Sequence, residues 1–212
     1  MFLTIWLNYM VKGKKDSTQE KILAAARKVF QSKGMAGARM QDIADEAGIN
    51  KALLHYYFSS KEKLFEVIFK EAFSQFFPKI NAAIDAEIGL DEKIRYFCRE
   101  YIDMMLQNPF LPLFVLNELN KHPDSFIRKT WKNRESPFKR FSIQIEAEIK
   151  KKNIRSVNPA ELFINMLSMC IFPFVAKPLW MAASGMDESA FTGFMEERKT
   201  AIPKFIIESI KK

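Results

Sequence analysis

Seven glycines and nine prolines in 212 residues are too few to punctuate a protein of many strands and tight turns. No alternation of apolar and polar residues of useful length offsets the shortage, so sheet architectures are set aside and an all-α chain is expected. Only two histidines and two cysteines are present. Cys98 and Cys170 lie far apart in apolar stretches, without a ligand residue at metal-binding spacing, and read as buried reduced thiols. No metal and no cofactor is expected. A glycine-rich phosphate loop, a nucleophile elbow and a zinc signature are all missing, which argues against an enzyme. Long membrane-spanning runs are missing too. The opening "MFLTIWLNYM" is too short for a span and lacks a basic leader region. The apolar stretch from Pro159 to Ala183 is interrupted by Glu161, Asn165, Pro173, Lys177 and Pro178, which argues against a span. A cytoplasmic protein without a membrane partner is expected.

What is present is a large apolar and basic inventory. Hydrophobic residues make up 48% of the chain and phenylalanine alone contributes 20 residues, enough for a sizeable core. The formal net charge is +8 and the isoelectric point about 9.4, a balance that favours nucleic acid or an anionic surface as partner. Residues 1–9 fit translation that starts at Met10, with a short extra surface helix as the rival reading.

The helical punctuation is clear in the first third. "DSTQEKILAAARKVFQSKG" carries Ile22, Ala25, Ala26, Val29 and Phe30 at one-face spacing, is capped by Ser17 or Thr18, and ends at Gly34. Short helices are expected over 40–47 and 51–57. A long one starts near Lys61 behind Ser59 or Ser60 and stops near Pro78. Further helical patterns follow in "DEKIRYFCREYIDMMLQ", in "LFVLNELNK" after breaks at Pro109 and Pro112, in a long pattern kinked at Pro137, in the apolar 159–183 stretch, and in "DESAFTGFMEERKTAIPKFIIESIKK".

The stretch "MQDIADEAGINKALLHYYFSSKEKLF" has the spacing of a helix-turn-helix. Ala44 is small where two helices cross closely, Gly48 tolerates the sharp turn, and Leu54 anchors the next helix. Asn50 then stands at an N-cap, and Lys51, Ala52, Leu53, His55 and Tyr56 face outward or sideways. Such a face suits a DNA groove better than the rival reading, a solvated helix in an ordinary bundle.

The segment from Thr18 to about Phe69 resembles the N-terminal domain of the tetracycline-repressor (TetR) family of bacterial transcription regulators. The residues that carry it are "ILAAARKVFQSKG", then Ala47, Gly48, Ile49, Asn50, Lys51, Leu54, His55, Tyr56, Tyr57, Phe58, Lys61, Glu62 and Leu64. His55 stands where the family usually has tyrosine, and Leu53 where it often has a small or polar residue. The resemblance implies DNA contacts from Arg39, Met40, Gln41, Asn50, Lys51, Ala52, Leu53, His55, Tyr56 and Lys61. Asn50, His55, Tyr56 and Lys61 are expected on the DNA backbone; Lys51, Ala52 and Leu53 are expected near base edges. Lys12, Lys14 and Lys15 form a basic arm or a solubilising tail.

The same resemblance implies three segments: a basic arm over 1–15, a helix-turn-helix domain over 16–63, and a ligand-binding and dimerisation domain over 64–212. The expected architecture is all-α, with a three-helix DNA-binding domain and a larger helical one. Phe73, Phe97, Tyr101, Met104, Met105, Phe114, Asn117, Trp131, Phe138 and Met166 are the candidate ligand-binding residues. Phe77, Phe141, Glu118 and His122 are secondary candidates. A plain core reading stands beside this for most of the aromatic residues. The expected partners are a double-stranded DNA operator, a second copy of the chain paired through the last two long helices, and a hydrophobic or amphipathic small molecule. The function implied is a repressor released from a palindromic operator by that molecule; an activator or corepressor-dependent regulator of the same fold is the alternative.

Overall fold

The computed structural model describes residues 17–121 and 137–212. The expectations for the N-terminal arm and residues 1–9, and for His122 and Trp131, lie outside the described residues. Among the described residues every regular element is an α-helix. The helices are α1 (Ser17–Gly37), α2 (Met40–Ala47), α3 (Lys51–Tyr57), α4 (Lys61–Asp85), α5 (Leu90–Gln107), α6 (Leu111–Lys121), α7 (Pro137–Lys150), α8 (Pro159–Val175), α9 (Lys177–Ser184) and α10 (Glu188–Ile210). The chain divides into two compact units, Met1–Glu71 and Ala72–Lys212, and α4 runs through the division.

In the first unit α1 packs on α2, and α2 on α3. Its core collects Ile22, Ala26, Phe30, Ile43, Ala44, Leu54, Leu64, Phe65 and Ile68, all fully buried. Gly34 leaves helical geometry at φ 65°, ψ 174°, yet one further turn carries α1 on to Gly37. The expected stop at Gly34 is therefore a bend, because a single residue at positive φ reorients the next turn without ending it. In the second unit α5 packs against α10 and α8, and α8 also meets α6, α7, α9 and α10. Cys98 and Cys170 are both buried free thiols. The neighbouring Cys98 thiol, together with burial, pushes the Cys170 thiol well above its usual range.

Three proline expectations need correction. α4 does not stop at Pro78 but continues to Asp85. A mid-helix proline removes one backbone bond and crowds the preceding turn. Here the segment beyond it is held by buried Ile80. Arg140 adds a bond to Asn81 at 2.5 Å and one to Asp85, and the Lys93 ammonium reaches the Ile84 carbonyl at 2.5 Å. Pro112 does not break the chain; it sits in the first turn of α6, where a missing N–H costs nothing. The 159–183 stretch is not one helix but two, bent by 72°. Pro173 lies inside α8 and a proline opens α9, so the ladder is interrupted on both sides of Ala176. No single helix among the described residues is long and apolar enough to cross a membrane.

Candidate nucleic-acid interface

The turn between α2 and α3 is set by local hydrogen bonds. Gly48 adopts φ 66°, ψ 33°, and its N–H donates to the end of α2. The N–H of Ile49 reaches back to the Ala44 carbonyl at 3.0 Å, a six-residue closure of the kind that terminates helices at a left-handed glycine. Asn50 then caps α3: its Oδ1 accepts from the Leu53 N–H at 2.7 Å. With one Oδ1 lone pair used by the cap, the Asn50 amide still has its NH2 to offer outward as a donor.

α3 has one inward anchor, buried Leu54, and Phe58 is buried just past its end. Lys51, Ala52, Leu53, His55 and Tyr56 are exposed together on this helix. Tyr56 is 83% exposed, although its ring meets Tyr57 edge to face at 5.4 Å. His55 Nδ1 lies 3.3 Å from the Ser59 carbonyl, which only accepts, so the proton of the neutral ring sits on Nδ1. That leaves Nε2 as an acceptor, and protonation turns it into a donor.

α2 contributes a second edge. Arg39 and Gln41 are exposed and Met40 is half-buried. The Arg39 backbone N–H donates to Asp42 Oδ2 at 3.0 Å, which caps α2. The acidic residues of α2 are all partnered: Asp42 by Lys33 at 2.9 Å, Asp45 by Gln41 at 2.8 Å and Glu46 by Lys28 at 2.9 Å. Lys33 and the Arg39 N–H hold the Asp42 carboxyl below its usual range. Lys33 and Lys28 offset the charges of Asp42 and Glu46, whereas Asp45, bonded by the neutral Gln41 amide, keeps its charge beside Arg39 and Lys51.

Lys61 is placed differently from its companions. It is half-buried, and its ammonium donates to the carbonyls of Met35 at 2.9 Å, Ala38 at 3.1 Å and, more weakly, Ala36 at 3.5 Å.

The candidate ligand residues divide. Phe97 and Tyr101 stack at 5.5 Å on successive turns of α5. Phe138 of α7 reaches the same neighbourhood through Phe163 of α8, at 5.2 Å from Phe138 and 6.0 Å from Phe97. Phe141 joins Phe163 at 6.2 Å, and Phe76 meets Tyr101 edge to face at 5.4 Å. Burial pushes the Tyr101 phenol above its ordinary range, so it stays neutral and acts only through its O–H. Met104, Met105 and Met166 are buried. Phe73, Phe114 and Asn117 lie on α4 and α6, but their side chains lie outside what the structure describes, as do those of Phe77 and Glu118. Phe163, the hub of this cluster, was not among the residues picked out from sequence. Its spacing to Met166 and Cys170, three and seven residues on, was the available signal.

Comparison with known proteins fits this geometry. Residues 22–68 match the family model described as bacterial regulatory proteins, tetR family. The HTH-type transcriptional repressor NicS of Pseudomonas putida is 41% identical over 61 residues, 29% of each chain. The regulator YfiR of Bacillus subtilis is 34% identical over 86 residues, 41% of this chain and 34% of its own. The chain thus aligns with only about a third of the length of these curated relatives. The fold match is wider. The ketosteroid transcriptional regulator KstR2 of Mycobacterium tuberculosis superposes with a TM-score of 0.71 at 16% identity, covering 95% of this chain and 99% of that one. Residues 22–68 thus carry the N-terminal domain of the tetR family of bacterial regulatory proteins.

Proposed function

We propose that this protein is a homodimeric, ligand-responsive transcription regulator, a repressor that leaves a palindromic operator when a hydrophobic or amphipathic small molecule binds. The observation that carries the DNA reading is α3 itself. It is capped by Asn50, anchored inward by Leu54, and exposes Lys51, Ala52, Leu53, His55 and Tyr56 together. In this reading Asn50, His55 and Tyr56 hold phosphates, Lys51, Ala52 and Leu53 approach base edges, and Arg39, Met40 and Gln41 border the groove from α2. NicS, 41% identical over 61 residues, is itself a repressor.

The exposed apolar residues of the second unit support the dimer. Ile164 and Phe172 on α8, Leu179 and Trp180 on α9, and Phe205 on α10 are all exposed in the single chain. Pairing through them would bury a surface that is costly in water and would set two α3 helices about 34–36 Å apart, one turn of B-DNA. The aromatic cluster of Phe97, Tyr101, Phe138 and Phe163 supports an effector that is largely apolar, with Tyr101 as its polar contact. α4 is the physical link, one helix running from the turn after α3 to Asp85. The coupling is reciprocal, so operator lowers effector affinity by the factor by which effector lowers operator affinity.

The test is selection of a bound sequence from a randomised duplex pool, followed by titration across a salt series. A recovered palindrome, bound by two subunits and weakened as salt rises, is the expected result. Sequence-blind binding, or binding unchanged by Tyr56→Ala together with Lys51→Ala, refutes the assignment of α3.

A further inference from the structure

We infer that Lys61 is a positioning residue of the helix-turn-helix and not a phosphate ligand: its ammonium is committed to the carbonyls at the end of α1, and through them fixes the attitude of α2 and α3. The inference rests on the DNA-binding reading above.

Three observations converge. Lys61 opens α4, one residue past Ser60, whose Oγ accepts from the Lys63 N–H at 3.3 Å. A cation there is on the unfavourable, positive end of its own helix. Its side chain instead reaches carbonyls of the short turn that follows the Gly34 bend and of Ala38 just past it. Those carbonyls need a donor. Met35 O would take the Arg39 N–H if α1 continued, but that N–H is used by Asp42 in the cap of α2. Ala36 O would take the N–H of Met40, which already opens α2. Lys61 supplies what the chain reversal removes, at 2.9 Å to Met35 and 3.1 Å to Ala38, with the long 3.5 Å approach to Ala36 between them.

The donor count then decides the role. An ammonium has three N–H groups and no more. Three carbonyls occupy them, so a phosphate oxygen gains a hydrogen bond from Lys61 only by displacing one. Because the bonded segment joins α1 to α2, and Ala38 within it is buried, losing the ammonium frees the start of α2 and with it the entry to α3.

The experiment compares Lys61→Met, Lys61→Arg and Lys51→Met in the full chain. Hydrogen exchange of the DNA-free protein is read at the amides of residues 39–43, and the salt dependence of binding is read on the selected operator. Lys61→Met should speed exchange at these amides by about tenfold or more, and Lys51→Met should leave it alone. Lys61→Met should weaken operator binding by about tenfold while keeping the slope of log K against log salt. Lys61→Arg, which retains donors, should recover much of the loss. A slope reduced by about 0.9 with unaltered exchange is the signature of a lost phosphate contact and overturns the inference. If the unsubstituted protein selects no operator, the DNA reading falls, while the exchange data still decide whether Lys61 holds the start of α2.

Discussion

The rings of Phe30 and Phe65 meet edge to face, 5.3 Å between centroids and 65° apart, with neither side chain exposed. This contact locks the end of α1's apolar face onto the second turn of α4, beside Leu64 and Ile68. The unit is small, so one aromatic ring is a large share of its core. Phe65→Ala is expected to cost about 3–5 kcal/mol. Phe65→Leu, which refills part of the volume, should cost less than half of that. The check is thermal melting followed by circular dichroism, with the helix-turn-helix amides read by hydrogen exchange. A Phe65→Ala protein that melts with the unsubstituted one contradicts the assignment of this pair to the core.

Gly48 tests the turn without touching the core. A Cβ added there meets nothing within 4 Å, so the only penalty is its φ of 66°. Gly48→Ala should therefore cost about 1 kcal/mol, and Gly48→Asn less, since asparagine tolerates the left-handed region better. Denaturant titration measures both. A loss of several kcal/mol for alanine would mean that the turn carries a steric constraint besides its dihedral.

The contrast between α2–α3 and the rest explains what sequence alone makes legible. The bounds of α2 and α3 follow from residues within five positions of each other: Asp42 under Arg39, Gly48 after Ala47, Asn50 under Leu53. Local chemistry of that kind is written in the order of the residues. Pro78 is different. Nothing local says that α4 survives it, because what holds the far side is Arg140, about 60 residues on. The bend at Ala176 likewise depends on how α8 and α9 each find a packing partner. The aromatic cluster was half visible: Phe97 and Tyr101 stack directly on one helix, but Phe138 joins them only through Phe163, whose role depends on three helices meeting. Lys61 looked like a surface cation because the carbonyls it serves lie more than 20 residues earlier.

Acid should loosen the start of α2. The Lys33 ammonium and the Arg39 N–H both favour the ionised form of Asp42 and depress its pKa below the ordinary 3.8. A group whose folded pKa is depressed adds stability above its unfolded pKa and loses it as pH falls through the folded value. Asp42→Asn should therefore melt below the unsubstituted protein at pH 7. The gap should hold down to about pH 5 and close as pH drops below about 4. High salt should narrow it as well, because the pair faces solvent. Melting temperatures taken across pH 2–7 at two salt concentrations make the comparison. A gap that is constant with pH would show that Asn differs from Asp here for reasons unrelated to charge.

The proposed dimer makes the sharpest demand on the second unit. Phe172 is 64% exposed, Leu179 72% and Phe205 60%, while their neighbours on the opposite faces, Phe174, Met195 and Ile206, are buried. Charged replacements at these mostly exposed positions remove little packing within one chain, so Phe172→Glu with Phe205→Glu should leave the fold of the monomer intact. In an interface core, each places an unpaired charge in a desolvated patch, an effect worth several kcal/mol per site and doubled by the two-fold axis. The expected result is a monomer by light scattering at micromolar concentration, with near-unchanged circular dichroism. Operator affinity should fall by far more than twofold, because a lone subunit grips one half-site and loses the gain from simultaneous engagement. The same double variant still running as a dimer would move the interface elsewhere and leave these apolar faces without a partner.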